Sequence, residues 1–417
     1  MTGNGNGSGD STLWDRAEGP VHVVGAGPAG LTAALGLRAL GVPVRVLEAE
    51  QEARVRPGSR ALYVHRDSLR TLERVSPGLG AAVAGHGIQW SGRRTHYRGR
   101  PVFARDHPPG TGSGLPPYAS LRQLDTEKHL MAACRAAGVE FSWSAQVHKV
   151  LADDATVEVH AADGRSWTGR YLIAADGARS AVRTAIGRTM VGGRSEAHHV
   201  VVDLADDAED PDPTLREFHY HHPGLDGRHV LLVPFAGGRQ IDLQCRPDED
   251  PDALLEPARL RGWLPSVVHP SYLGRVLWTS RYPFLQLVAD SFVDDSRRVL
   301  LAGEAAHLFA PFGARGMNSG IADADAAATA VATALAADTR ARARAAVDEY
   351  DRVRRGAAVH NRDAAGSALA HMRPARRRQR MRQRAAARLA PVLPRAGEWL
   401  EKAPYGPRTT ATPTSTY

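Results

Sequence analysis

The 417 residues predict an α/β protein: a parallel-sheet domain, an inserted and mostly antiparallel β-sheet domain, and a helical C-terminal segment. Three observations predict it. Between Val21 and Glu48 a short apolar strand, a glycine-rich turn, a helical pattern and a second strand follow in register. From Met190 to about Leu277 the pattern changes to strand-like alternation. From Arg373 to Arg388 the chain is dense in arginine and bounded by Pro374 and Pro391, as a helix would be.

Val21-His22-Val23-Val24 is too short for a helix and rich in β-branched residues. It breaks into Gly25-Ala26-Gly27-Pro28-Ala29-Gly30, a G-x-G-x-x-G turn. Gly25 permits the tight turn, Gly27 lets a backbone approach a pyrophosphate, and Gly30 lets the helix pack close to the strand. Leu31, Ala34, Leu35, Leu37 and Leu40 supply the apolar side of that helix, with Gly41 past its end. Free N–H groups and the dipole at the helix start favour a phosphate there. Val42 to Leu47 is the second strand, and Glu48 at its tip is placed to accept hydrogen bonds from a ribose diol. Glycine-rich turns are common, but this whole unit in register favours a Rossmann-like dinucleotide site over a purely structural βαβ unit.

Composition is that of a soluble globular protein, 43% hydrophobic and 24% charged, long enough for two domains or one discontinuous domain. No apolar run is long enough to span a membrane, and Met1 to Pro20 has no signal-peptide pattern; a disordered lead-in to a cytoplasmic protein is expected. Cys134 and Cys245 have no zinc or CxxC spacing and read as separate reduced thiols. The formal charge of +8 comes with no nucleic-acid-binding motif. It suits an anionic dinucleotide or an acidic substrate, with no nucleic acid and no membrane as partner.

After Glu48, residues 51–58 read as an irregular loop leading to Arg60, and Asp67 as the cap of a short helix through Val75. Trp90 to Phe103 reads as strands, and Pro108 to Pro117 as a loop. Gln123 to Ala137 is helical with Gly138 in the left-handed position after it. Three strand-like runs follow, Val139–Val150, Ala155–Ala161 and Arg165–Ala174, the last two joined at Asp163-Gly164. The last run ends at Asp176-Gly177, which taken alone is a turn. The alternating region beyond Met190, with Gly237-Gly238 as a hairpin turn, predicts a sheet covered on one face. His219 and His221 would share a strand face, but a polar strand is favoured over a metal site. Arg298 to Gly303-Glu304 is a strand ending in Gly-acid; a Gly/Pro-rich loop through Pro311, Gly313 and Gly316-Met317 then leads to a helix from about Asn318 to Ala336. His307 reads as structural, and Pro404 to Tyr417 as disordered.

With these three stretches in order, the chain resembles the single-component FAD-dependent monooxygenases, the aromatic hydroxylases typified by 4-hydroxybenzoate hydroxylase, over about Val21 to Tyr350. Val233-Pro234-Phe235 with Gly237-Gly238 is most similar to the actinobacterial phenolic and polyketide hydroxylases. The resemblance implies an FAD-binding domain from 21–89, 118–189 and 280–355, and a substrate domain from 90–117 and 190–279. Residues 1–20 and 404–417 would be disordered ends and 356–403 a basic helical segment, standing where longer members carry a thioredoxin-like domain. It further implies that Gly25, Gly27, Pro28, Ala29, Gly30, Glu48, Arg60, Gln123 and Asp176 bind FAD. Gly303 and Glu304 would meet the ribityl chain, Pro311 the reactive ring edge, and backbone from Gly313 through Gly316, Met317 and Asn318 the N1–C2=O edge.

Two departures stand out: Glu304 where the family has Asp, and Ala314-Arg315 where glycine or glutamine is frequent. The implied reaction is hydroxylation of a phenolic or polyketide-like molecule with NADPH or NADH and O2, through a flavin C4a-hydroperoxide, in secondary metabolism such as antibiotic biosynthesis. The other reading is a cyclase that keeps FAD without redox turnover. A flavin halogenase is disfavoured because the Trp-x-Trp-x-Ile-Pro signature is missing. A monomer or homodimer is expected, and no catalytic base can be named from sequence.

Overall fold

A computed structural model describes residues 19–54, 61–107, 114–207, 209, 213–246 and 248–407, with 196 and 197 described by backbone only. Arg60, much of the 51–58 loop, residues 108–113 and most of both terminal segments lie outside the described residues.

The inner strands assemble because they are apolar and buried on both faces, while Glu140–Ser142 is a partly exposed edge. Five strands make a parallel sheet in the order Val299–Leu301, Leu172–Ala174, Val21–Val24, Val44–Leu47, Glu140–Ser142. Near-continuous runs such as Leu172-Ile173-Ala174 are what the central strands require. The helix Pro28–Ala39 packs on this sheet against the helix Arg315–Leu335. Small residues set their separation: a Cβ at Gly36 would stand 2.9 Å from the Ala328 Cβ.

Each of the first and third expected strand runs breaks in two. The chain turns at Ser144, with φ of +54°, and strands Glu140–Ser142 and Leu172–Ala174 join the parallel sheet. Val147–Ala152, Val157–Ala161 and Ser166–Gly169 form a separate antiparallel meander, turning at Gly164. Asp67 is not a cap: the helix Arg66–Val75 has His65 at its N-cap, and Asp67 is exposed in the first turn, 3.1 Å from Arg70.

The alternating region forms most of an eight-stranded sheet, antiparallel except where Leu215–Tyr220 runs parallel to Gly92–Tyr97. Short helices Pro251–Leu255 and Pro257–Trp263 follow Gln244 in place of further strand. Both faces of the sheet are covered, not one. Val200, Val202, Ile241 and Leu243 pack beneath the short helices, with Leu260 and Leu264. On the other face Phe218 and Tyr220 meet Met372 and Leu400, and Phe284 meets Ala365. The extra cover comes from the long helix Arg340–Met372 and from Arg377–Leu389 and Pro394–Lys402, whose docking no local pattern encodes. No helix among the described residues is long and apolar enough to cross a membrane.

Candidate cofactor and substrate cavity

A cavity of about 3090 Å3 is lined by residues of both large sheets. That is roughly three times the ~1,000 Å3 upper end of ordinary small-molecule pockets, room for a dinucleotide and a second ligand together.

The glycine turn forms one end, where Gly25, Gly27, Pro28 and Ala29 line the space. Gly25 holds φ +99°, and a Cβ there would lie 2.4 Å from the Ala175 carbonyl oxygen. A Cβ at Gly27 would touch nothing within 4 Å, so the approach to the backbone is open. The helix Pro28–Ala39 carries no side-chain cap, which leaves its first N–H groups facing this opening. Gly30 does not line the cavity; a Cβ there would stand 1.9 Å from the Gly25 oxygen, so its task is packing beneath the turn.

Glu48 lines the cavity and also braces the turn: its carboxylate accepts the Ala26 N–H at 2.6 Å and the Glu50 N–H at 3.0 Å. Burial works to raise its pKa, but these N–H groups and the Arg54 guanidinium, 2.8 Å away, outweigh it and hold the carboxyl ionised below its usual range. Arg54 also donates to the Ala26 carbonyl at 2.7 Å. Sequence reading missed Arg54, which sits in a stretch read only as loop.

Asp176 accepts the Val182 N–H at 3.1 Å through Oδ2, while its Oδ1 is buried without a hydrogen-bond partner. Burial pushes this carboxyl upward. An orphaned acceptor costs about 1–3 kcal/mol, and a hydroxyl-bearing ligand in the cavity it lines would relieve that. Gln123 lines the cavity too and donates to Glu127 at 2.8 Å.

Gly303 and Glu304 lie opposite the glycine turn, with Gly303 (φ +62°) 3.0 Å from Ala29 by its absent Cβ and Glu304 exposed toward the cavity. Beneath them Asp323 accepts the Gly303 N–H at 3.2 Å and pairs with His307 at 2.5 Å and Arg354 at 2.7 Å. Burial opposes charge on Asp323, yet Arg354 and His307 keep its pKa low. His307 is thus structural, held by Asp323, which Arg354 pairs in turn from farther along the chain.

Pro311, Gly313, Gly316, Met317 and Asn318 line the middle of the cavity. The helix begins at Arg315, three residues before the expected Asn318, because Ala314 takes φ +54° and turns the chain into it. The Asn318 side chain is fully engaged: it accepts from the His65 N–H and Ser68 hydroxyl and donates to the Tyr63 and Ala314 carbonyls, at 2.7–2.9 Å. What this helix start offers a ligand is therefore backbone N–H groups and the positive dipole end.

The remaining wall is the eight-stranded sheet, with Leu231, Val233, Trp278, Tyr282 and Leu285 lining the space, joined by Phe309 and Phe312 from the loop after its last strand. Arg216 also lines it, but its buried guanidinium already pairs with Glu401 at 2.8 Å. In the same wall Asp242 joins His199 Nδ1 to the Tyr282 hydroxyl, the latter at 2.6 Å. His199, Asp242 and Tyr282 come from three strands, so only strand pairing reveals the network.

Elsewhere, His219 does not share a face with His221, which leaves the strand at φ +51°. His219 meets Glu217 at 3.3 Å and stacks on His96 at 4.4 Å and 11°. A carboxylate companion, Glu217, thus stands two residues away. The two imidazole planes are nearly parallel, so one ion cannot lie in both planes as coordination demands.

A family model described as an FAD binding domain matches residues 18–365. The chain is 31% identical over 315 residues to 3-(3-hydroxy-phenyl)propionate/3-hydroxycinnamic acid hydroxylase of Mycolicibacterium smegmatis, covering 73% of this chain and 53% of that protein. It is 32% identical over 320 residues to 6-methylpretetramide 4-monooxygenase of Streptomyces rimosus, covering 74% and 55%. The chain thus spans about half the length of these curated relatives. A crystal structure of p-nitrophenol 4-monooxygenase from Pseudomonas putida superposes with a TM-score of 0.73 at 26% identity, covering 93% of this chain and 98% of that one. A turn open to phosphate, an orphaned carboxylate oxygen and a helix start in one cavity fit the same cofactor, and the chain belongs to the family described by the FAD binding domain model, with FAD as its cofactor.

Proposed function

We propose that this chain hydroxylates a phenolic, polyketide-like molecule of more than one ring, with NAD(P)H and O2 as co-substrates. The carrying observation is the continuous cavity: the residues fitted to FAD and an aromatic-aliphatic sheet wall enclose the same space. Arg216 supports a ring system over a simple aromatic acid, because Glu401 already neutralises its buried charge. Bound FAD supplies hydride acceptance from the nicotinamide and the activation of oxygen. The chain's own part is to hold FAD through Gly27, Glu48, Asp176 and the Gly313–Asn318 backbone, and to stack the substrate on the wall formed by Trp278, Tyr282 and Phe312. Excluding water there strengthens every dipole aimed at the reacting ring. The setting is cytoplasmic secondary metabolism, as a monomer or homodimer.

Purified protein tests this directly. The expected result is a yellow protein whose NADPH oxidation accelerates with a multi-ring phenol and yields a product heavier by one oxygen atom. Conversion of the substrate with oxidised FAD under strict anaerobiosis would overturn the proposal in favour of a cyclase.

A further inference from the structure

We propose that His199 is the base that accepts the proton of the substrate's phenolic hydroxyl, with Asp242 and Tyr282 as its positioning residues. The assignment rests on the hydroxylase reading above and names the group that reading lacks.

The geometry orders the three roles. Asp242 is acceptor-only when ionised, so it fixes the proton of His199 on Nδ1 and leaves Nε2 with a free lone pair. Tyr282 donates to the second Asp242 oxygen at 2.6 Å and holds the carboxylate in place. Asp242 is thereby engaged from both sides, the arrangement that orients a general base. The Nε2 atom is buried and has no hydrogen-bond partner, in a residue that lines the cavity. Leaving such a site unfilled is costly, and a ligand hydroxyl is the partner it lacks.

Two rings cover the imidazole: Phe284, 4.5 Å away within the sheet, and Phe312, 6.3 Å away on the turn after Pro311. A hydroxyl reaches Nε2 by displacing Phe312, the one not fixed in a strand. In the step itself the substrate O–H bond breaks, its electron pair stays on oxygen, and an N–H bond forms at Nε2. The imidazolium charge is then balanced by Asp242. The phenolate so formed is the more electron-rich ring for oxygen transfer. Charged or titratable neighbours are Asp242 and Tyr282 on the adjoining strands and the buried His229 just before Val230–Phe235. The long helix brings the apolar Ala365 and Leu369 to this cluster.

The test uses FAD-loaded protein and 4-nitrophenol, whose phenolate is coloured, at fixed pH below the probe's own ionisation. Wild type should ionise the bound probe. His199→Gln should abolish that colour change, while FAD content stays as in wild type. With a turned-over phenol, kcat of His199→Gln should fall about 100-fold or more near pH 7 and recover as pH rises toward the phenol's own ionisation. Tyr282→Phe should give a smaller loss, with its pH profile displaced rather than flattened. Ionisation of the probe by His199→Gln to the wild-type extent, or none by wild type, overturns the assignment. A wild type that ionises the probe yet transfers no oxygen overturns the hydroxylase reading instead.

Discussion

Asp176 shows how one atom ties fold to chemistry. Its Oδ2 caps the short helix after Ser180 through the Val182 N–H, and its Oδ1 is kept dry and unpaired at the cavity wall. Asp176→Ala removes both, so FAD affinity should drop by at least tenfold, read from flavin retained after gel filtration; unchanged retention would show that the oxygen serves folding alone. Gly30 acts differently, since it does not line the cavity. A methyl group at 1.9 Å from the Gly25 oxygen forces the turn open. Gly30→Ala is therefore expected to lower thermal stability even without FAD, by several kcal/mol, measured as the denaturant midpoint of apoprotein. Glu304 is exposed toward the cavity, with space for its extra methylene. Glu304→Asp should change FAD affinity by less than tenfold.

At the level of elements, the C-terminal helices are held to the substrate sheet by a buried ionic knot. Glu401 accepts from Arg216 at 2.8 Å and takes the Thr95 hydroxyl, with Arg93 at 3.5 Å. Arg216 is buried, so Glu401→Ala strands its charge and should cost about 3–5 kcal/mol, read as a fall in urea midpoint. A simple surface tail would show no such loss. These long-range partnerships mark the limit of what local pattern reveals. The strand–turn–helix–strand unit at Val21–Glu48 was legible because each residue type there answers a local backbone need. Asp176-Gly177 and Gly303-Glu304 were legible only in company, as three motifs in one order. Arg54, Asp323 and the His199–Asp242–Tyr282 network were not: each depends on which distant segments the fold brings together, and their sequence neighbours carry no trace of it. The second covered face of the large sheet was missed for the same reason, since alternation reports that one side is apolar without reporting what docks on the other.

For the whole molecule, acid stability follows from buried groups that resist their charged forms. Burial, with His221 and His199 nearby, pushes His229 down to about 3, and burial beside Arg382 pushes His371 down to about 4. Both stay neutral in the folded chain but take up a proton on unfolding below about 6.5, so their contribution is complete above that pH and is lost as pH falls toward 4. Asp203 works in the opposite sense: burial raises it to about 6 from 3.8, which favours the folded state more as pH falls through that interval. Each pH unit per proton is worth about 1.4 kcal/mol, and two histidines displaced this far outweigh one carboxyl. The melting temperature should therefore drop between pH 7 and pH 5, and Asp203→Asn should raise it at pH 7; a flat profile would mean that both histidines reach solvent.

Arg315 at the helix start donates to Asn361 at 2.7 Å and to the carbonyls of Tyr405 and Pro407 at 3.2 and 2.7 Å. The same turn of backbone that lines the cavity thus clasps the last described residues of the chain. Stripping the flavin should loosen that clasp, and carboxypeptidase should then nibble past Pro407 faster in apoprotein than in the yellow form. The far end of the polypeptide becomes a gauge of occupancy at its centre.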